Sequence, residues 1–594
     1  MKLKLQEKEV LLYLFKNNYS NQRSISQSTS YSLGAVNCAL QNLQKLSLVD
    51  AEKRVTLLGR NYIALNSPKR AVILAAGLGM RIIPINMEYP KGLLQIKGEI
   101  LIERLIRQLH DAQVYDIDVV VGFMKQKFEY LIDYLGVNLI VFNEYRYKNN
   151  LNSLSKVKVP LSNTYILPAD IWVEDNPFSK FESHSWYLAI DRKKNPSLCD
   201  IYINKERTIS TNNKRNNFSM GEISYIDNSD GQRLTEIVKS MAKDKRFDND
   251  FWESALVDHS NGHFYIPAKI RKEDGIYGIN TYEELRAADS NSLNLKTDIT
   301  NIICNVFKVP IGDIANIQVI KSGMTNRSFL FSVNDEKYMM RIPGEGTSTL
   351  VNRANECDNY VAIKNYQLSD SVCYINPING YKITKFVEKS RVCDPKSVKD
   401  LRLCMGLLRH FHNLNLKVGH VFDIYKLIDY YESLWNEKAS CYVDYNITKE
   451  NVLSLKPFIE THIERVVLSH NDPNADNFLI FKDQDGTEQV RLIDWEYGGM
   501  HDPDSDVAMF GIYSLLDREE IDRLIDIYYE NACSKEIRVK IYCYIAASGL
   551  LWSNWCEYKA DFGVEFGEYS LRQYRYAKDF YRIAKREMEG LTNV

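Results

Sequence analysis

The chain has 594 residues, 45% of them hydrophobic and 26% charged, with a net charge of −2. That length exceeds one hydrophobic core and implies about two to four globular domains. The near-neutral balance excludes a global field for nucleic acid or anionic membrane, and 11 Cys without a C-x-x-C pair argue against a disulfide or zinc framework and for reduced thiols. The first residues, "MKLKLQEKEVLLYLF", are interrupted by Glu7, Lys8 and Glu9 and make a poor signal peptide. No apolar run approaches the length of a membrane span. A soluble cytoplasmic protein without membrane insertion is expected, its oligomeric state left open.

Residues 1–67 are rich in helix pattern. "EKEVLLYLFKN", "QRSISQSTS" and "SLGAVNCALQNLQKLSLVD" precede "KRVTLLGRNYIAL". A helix, a turn near Tyr31 to Gly34, a second helix and a β-wing give the order of a winged helix-turn-helix domain, and the segment resembles those of bacterial regulators. The resemblance implies DNA binding. The expected recognition helix, Gly34 to Leu46, carries a single cation, Lys45, and residues 1–67 hold nine Lys/Arg against four Asp/Glu. Phosphate contact needs Lys or Arg, so DNA contact and a docking or dimerisation role both stay open.

Residues 68–292 read as strands alternating with amphipathic helices, which argues for parallel strands covered by helices. The segment opens with "LAAGLGMRIIPINMEYPKGLLQIKGEILIERLI". Gly77 and Gly79 let the backbone after Ala75 and Ala76 approach a triphosphate. Arg81 and Lys91 supply cations for the charge that builds on a leaving pyrophosphate. The pattern is neither a dinucleotide fingerprint nor a P-loop. Over about residues 69–290 it resembles the nucleoside triphosphate transferases that activate sugars and phosphocholine. That resemblance implies a Rossmann-like mixed sheet, a triphosphate held by Arg81 and Lys91, and Mg²⁺ on Asp170 in "YILPAD". Asn280, in "YGINTYEEL", stands where an acid is common in the phosphocholine branch, as the second metal ligand. "NEYRYKNNLNSLSKV" looks like the phosphocholine cytidylyltransferase subgroup and implies nucleotide contacts from Asn150 and Ser153. A trimethylammonium group needs aromatic faces or acids, and "FDNDFWESAL" offers Trp252 and Glu253, "FESHSWYL" Glu182, Trp186 and Tyr187. "TYEELRAADS" ends the segment, with Asp289 and Ser290 starting a polar linker.

Residues 293–594 begin with consecutive short strands and continue as mostly helical sequence, an α+β order. "HNDPNADN" has the H-x-D-x-x-x-x-N spacing of a phosphotransfer loop. Asp472 is placed to accept a hydroxyl proton, and Asn477 with Asp494 of "VRLIDWEY" to hold Mg²⁺ on the phosphates. "KSGMTNRSFLF" offers Gly323, Thr325 and Asn326 as a phosphate cover. Arg341 on a strand and Glu356 on a following helix match the strand-cation and helix-acid pair of kinases, with Arg for Lys. "SGMTNRSF", "RIPGEGT", "HNDPNADNFL" and "IDWEYGG" together resemble the choline/ethanolamine kinases of the aminoglycoside-phosphotransferase-like group, and within it the bacterial choline kinases that decorate surface glycans. The resemblance implies a protein-kinase-like fold. It also draws attention to "LLWSNWCEY", where Trp552 and Trp555 share one helix face and can wall a cation, with Tyr497 as a third wall.

The expectation is therefore a multidomain fused enzyme of the Lic type. A winged helix (1–67) precedes an α/β nucleotidyltransferase (68–292) and an α+β choline kinase-like domain (293–594). ATP and choline would give phosphocholine, then CTP would give CDP-choline and pyrophosphate, with Mg²⁺ at both sites. Ethanolamine or another amino alcohol is the alternative substrate. A DNA-binding regulator with enzyme-like sensor domains is the alternative class.

Overall fold

The computed structural model describes residues 3–192, 200–204, 208–210, 218–257, 266–320, 326–344, 350–435, 438–561, 564 and 566–592. It divides into two compact units, Met1–Ile311 and Gly312–Val594. The boundary falls later than the expected 292/293, and residues 1–67 cluster with the unit that follows them.

The first unit opens with helices α1 (Leu5–Lys16), α2 (Gln22–Thr29) and α3 (Leu33–Lys45). Asn21 and Ser32 cap α2 and α3 through their side-chain oxygens, as short polar residues at helix N-termini do. The expected wing is reduced to one bridge, Val49–Val55. The apolar run after it is helix α4 (Leu57–Leu65), started by the Thr56 cap. On α3, Val36, Ala39, Leu40 and Leu43 are buried, and Asn37, Cys38, Gln41 and Lys45 face solvent.

These helices are docked on the next segment. Lys8 Nζ pairs with Asp227 at 3.2 Å, Lys16 Nζ donates to Ser179 Oγ at 3.0 Å, and Phe15 meets Phe181 edge-on at 4.8 Å. Asn163 Nδ2 donates to the Leu65 carbonyl at 2.9 Å.

The body of this unit is a seven-stranded sheet. Its strands are β1 (Arg70–Ala75), β2 (Asp116–Val121), β3 (Asn138–Val141), β4 (Thr164–Pro168), β5 (Trp186–Asp191), β6 (Phe218–Ile226) and β7 (Ala268–Lys272). The spatial order is β7-β5-β6-β4-β1-β2-β3. The sheet is mixed because β6 runs antiparallel to both β4 and β5. Alternate residues of β1 enter opposite cores, Ala71 and Ile73 one and Val72 and Leu74 the other. Burial on both faces is why this strand reads as a continuous apolar run.

The expected linker is instead held against the hairpin Gln95–Ile100. Asp289 and Asn294 accept hydrogen bonds from the Lys97 and Gln95 amides, each at 2.7 Å. The polar residues that suggested a loose connection are used as caps for an exposed hairpin, and the helix Asp298–Phe307 follows.

The second unit starts with a five-stranded antiparallel sheet: β8 (Ala315–Val319), β9 (Asn326–Val333), β10 (Glu336–Pro343), β11 (Val372–Ile375) and β12 (Lys382–Lys385). Helix α5 (Arg353–Ile363) lies between β10 and β11 in sequence. A helical lobe follows, centred on α6 (Lys535–Ala560), which is buried along nearly its whole length. The stretch "LSHNDPNADNFLI" is strand, loop, strand, with a 3-10 turn at Ala475–Asn477. Among the described residues no helix is long and apolar enough to cross a membrane.

Candidate active sites

In the first unit, β1 and β4 run parallel and end side by side, with the Ala169 amide donating to the Leu74 carbonyl at 3.1 Å. The chain leaves β1 through Ala75, Ala76, Gly77 and Gly79 and leaves β4 through Asp170. These residues line one cleft of about 600 Å³ together with Arg81, Lys91, Asn150, Ser153 and Asn280. At Gly77 a Cβ would meet open space, whereas at Gly79 (φ +62°) it would lie 2.9 Å from Lys91 Cγ. Gly79 thus permits the left-handed turn and leaves room for the Lys91 stem.

Lys91 Nζ donates to Asp170 Oδ2 at 3.1 Å and to Asn280 Oδ1 at 2.8 Å. Arg81 donates to the same Asn280 oxygen at 2.9 Å. Asp170 and Asn280 thus gather around one cationic point, an acidic and a neutral oxygen of the kind that Mg²⁺ takes. Among the described residues there is no cluster of three or more His, Cys, Asp or Glu suited to a metal.

Asn150 Oδ1 is used on the Trp252 amide at 2.7 Å, and the Ser153 hydroxyl on the Asn150 carbonyl at 2.9 Å. Both residues line the cleft with these side-chain oxygens already engaged.

The residues expected to cage a cation in this unit lie in the core. Trp252 is 1% exposed and packs on Tyr187, ring centroids 6.1 Å apart. Tyr187 donates to Glu253 at 3.0 Å, and burial pushes the Glu253 carboxyl up to about 7. Trp186 and Glu182 do surround a cation, but it is internal: Lys269 Nζ lies 3.9 Å from the Trp186 ring centroid and 3.3 Å from Glu182. Beside Asp170, the acid that lines the cleft is Glu222 on β6. Partial desolvation and the charge of Asp170 push the Glu222 carboxyl up, against the pull of Lys91 and Arg81, although the side chain is itself exposed. No motif pointed to it.

In the second unit the phosphotransfer loop hangs from a buried acid. Asp506 accepts from the His470 and Asn471 amides at 2.8 and 2.7 Å and is 2.9 Å from His412 Nε2. His470 is buried. Its Nε2 meets the Ile493 carbonyl at 3.0 Å, and its Nδ1 accepts from the Asp472 amide at 3.2 Å. This imidazole therefore joins the loop to the turn bearing Asp494 and is not free for proton transfer. Asn477 Nδ2 donates to the Asp472 carbonyl at 2.9 Å and lies 3.4 Å from its carboxylate. Burial, then the charges of Asp494 and Glu496, push the Asp472 carboxyl well above its ordinary range.

Asp494 sits just beyond the strand Glu488–Leu492 in a left-handed conformation, φ +67°. Arg341 bridges it to the helix acid, donating to Asp494 at 2.9 Å and to Glu356 at 2.6 Å. Arg341 lies directly opposite Lys382 across β10 and β12. Two like charges in that register repel, and Glu356 stands between them, 3.3 Å from Lys382 Nζ. Burial disfavours ionisation of Glu356, but Lys382 and Arg341 hold its carboxyl down at about 2. Arg353 closes the network onto Glu356 and Glu496 at 3.1 and 3.2 Å. Asn326 also reaches Glu496, at 3.5 Å. Gly323 and Thr325 lie outside the described residues.

Aromatic rings collect beside Asp472. Trp552 meets Tyr497 at 5.4 Å, Tyr513 at 5.4 Å and Trp555 at 6.0 Å between centroids. Neither indole N–H has a hydrogen-bond partner. Tyr431, Tyr513 and Tyr569 also feel the Asp472 charge, three residues that no motif marked.

A model of the choline/ethanolamine kinase family matches residues 317–547. Over 222 residues the chain is 28% identical to the choline-phosphate cytidylyltransferase of Streptococcus pneumoniae, covering 36% of this chain and 95% of that one. It is 30% identical over 204 residues to the 2-aminoethylphosphonate cytidylyltransferase of Lancefieldella rimae, covering 32% of this chain and 79% of that protein. Through its first unit the chain belongs to the cytidylyltransferase family. The second unit is 25% identical over 265 residues to Protein LicA of Haemophilus influenzae, covering 42% of this chain and 96% of that one. The cytidylyltransferase-like domain is thus joined to a choline/ethanolamine-kinase-like domain in one multidomain enzyme related to bacterial Lic proteins. It has kinase and nucleotidyltransferase activity, directed at an alcohol or amino-alcohol substrate.

Proposed function

We propose that the chain makes CDP-choline in two steps, first phosphorylating choline with ATP and then transferring CMP from CTP to phosphocholine. The observation that carries this reading is the cluster of buried rings, Tyr497, Trp552 and Trp555, packed beside Asp472 in the core of this unit. A trimethylammonium group has no N–H to donate, and its recognition rests on aromatic faces. Asp472 takes the choline hydroxyl proton as the oxygen attacks the γ-phosphorus and ADP leaves. Asn477 and Asp494 would hold the Mg²⁺ that neutralises the phosphates, with Arg341 and Glu356 orienting the nucleotide. In the first unit a phosphocholine oxygen attacks the α-phosphorus of CTP and pyrophosphate leaves. Arg81 and Lys91 bind the triphosphate there, and Asp170 with Asn280 would hold Mg²⁺.

The test is incubation with choline, ATP and CTP followed by mass spectrometry. CDP-choline is the expected product, and its absence with a folded enzyme would reject the reading. Ethanolamine and 2-aminoethylphosphonate run in parallel, because one similar protein is a 2-aminoethylphosphonate cytidylyltransferase.

The ring cluster yields its own prediction. Each desolvated cation–π contact contributes about 0.5–2 kcal/mol. Trp552→Ala or Trp555→Ala should weaken choline use by roughly two- to thirtyfold, mainly in KM, with ethanolamine affected less and KM for ATP unchanged. Steady-state kinetics with both amines checks this, and equal losses would return the rings to a packing role.

For residues 1–67 we read a winged-helix relative used for docking. The salt bridge from α1 to Asp227 and the single cation on α3 favour that over DNA contact.

A further inference from the structure

We propose that Glu222 receives the cationic end of the acceptor in the cytidylyl-transfer site and sets its specificity, an inference that rests on reading that site as acting on a phosphorylated amine. The acids expected for this task are spent elsewhere: Glu253 accepts from Tyr187 and Glu182 from Lys269 and Tyr165. Among the described residues lining the cleft, the acids are Asp170 and Glu222. Asp170 is engaged by Lys91 and is the oxygen ligand suited to metal. Glu222 lines the same cleft as an exposed side chain and makes no hydrogen bond or ion pair with a described residue.

Its backbone supports a purpose. β6 bulges between Met220 and Ser224, and Glu222 adopts φ +57° there, a region that L side chains with a Cβ rarely occupy. Such positions tend to be kept where function needs the side chain. Ser224 pairs with Ile166 on antiparallel β4, so Glu222 lies two residues further toward the end of β4 that carries Asp170. Glu222 and Asp170 line one cleft and feel each other's charge, which places this acid on the side where the amine of a phosphate-bearing acceptor would lie. Phe251, 57% exposed, lines the same cleft and offers an aromatic face to the same cation.

The experiment uses the full chain and two variants. Glu222→Gly suits the left-handed backbone and removes only the side chain, while Glu222→Gln keeps its shape. Pyrophosphate release from CTP is measured with phosphocholine and with 3,3-dimethylbutyl phosphate, its isostere with a neutral tert-butyl group in place of the trimethylammonium. Both variants are expected to raise KM for phosphocholine by about tenfold or more, to leave KM for CTP within about twofold, and to leave use of the isostere unchanged. The preference for the charged acceptor then falls by the same factor. Equal losses with both acceptors, a shifted Mg²⁺ requirement or an unchanged KM for phosphocholine would overturn the proposal. A wild-type protein that releases pyrophosphate with neither acceptor would overturn the reading of the site, and this inference with it.

Discussion

Asp472→Asn is expected to slow phosphorylation of the amino alcohol by about two to four powers of ten, the usual contribution of a positioned general base. The substitution keeps the size of the side chain and removes its ability to take a proton. The loop itself should stay in place, because it is held through the His470 and Asn471 amides by Asp506 and through the Asp472 carbonyl by Asn477. Transfer of CMP to supplied phosphocholine should continue at the wild-type rate, since that cleft is built entirely from residues of the first unit. The measurement is a pair of assays on one preparation, ADP release for the first step and pyrophosphate release for the second. Phosphorylation within about tenfold of wild type would remove Asp472 from the base role. Loss of both activities in a folded variant would mean that the two sites are not independent.

Lys91→Ala should do the reverse. It removes a cation from the place where negative charge grows on the departing pyrophosphate. Such a contact contributes roughly 2–4 kcal/mol to the transition state, or about two to three powers of ten in rate. A second effect adds to the first: without Lys91, Asp170 loses the ammonium it shares with Asn280. Arg81 still reaches Asn280, so the loop should remain anchored. Cytidylyl transfer should collapse while ADP release with the amino alcohol stays near wild type. An unchanged rate of cytidylyl transfer would exclude Lys91 from the reaction.

Motifs that were legible in the sequence are those in which chemistry forces residue types into short spacing. The loop from His470 to Asn477 and the turn from Ala75 to Arg81 both lie where their order predicted, and Arg341 meets Glu356. Residues brought in by strand register left no such trace. Lys382 faces Arg341 only because β10 and β12 pair as they do, and Glu222 lines the cleft only because β6 bulges. Asp506 lies 36 residues after His470, whose amide donates to it. Trp252 shows a different limit. An indole serves a core as well as a cage, and one step along the chain decides the matter: Trp252 is 1% exposed and Phe251 57%. The wing expected around "KRVTLLGRNYIAL" is mostly helix, Leu57–Leu65, because the Thr56 side chain caps a helix there.

The docking of α1 bears on where this enzyme can be cut. A clone that begins at β1 would look natural from the motifs, since the nucleotide turn starts there. It would strip Lys8 from Asp227, an acid with 3% side-chain exposure, and lay bare Phe181, which otherwise joins the α1–α4 core. It would also leave the Tyr225 hydroxyl without the Asn66 carbonyl. The truncated catalyst would carry an uncovered greasy patch beside an unpaired charge, a recipe for precipitation during purification. Expression vectors for the transferase half should therefore keep the α1–α4 segment.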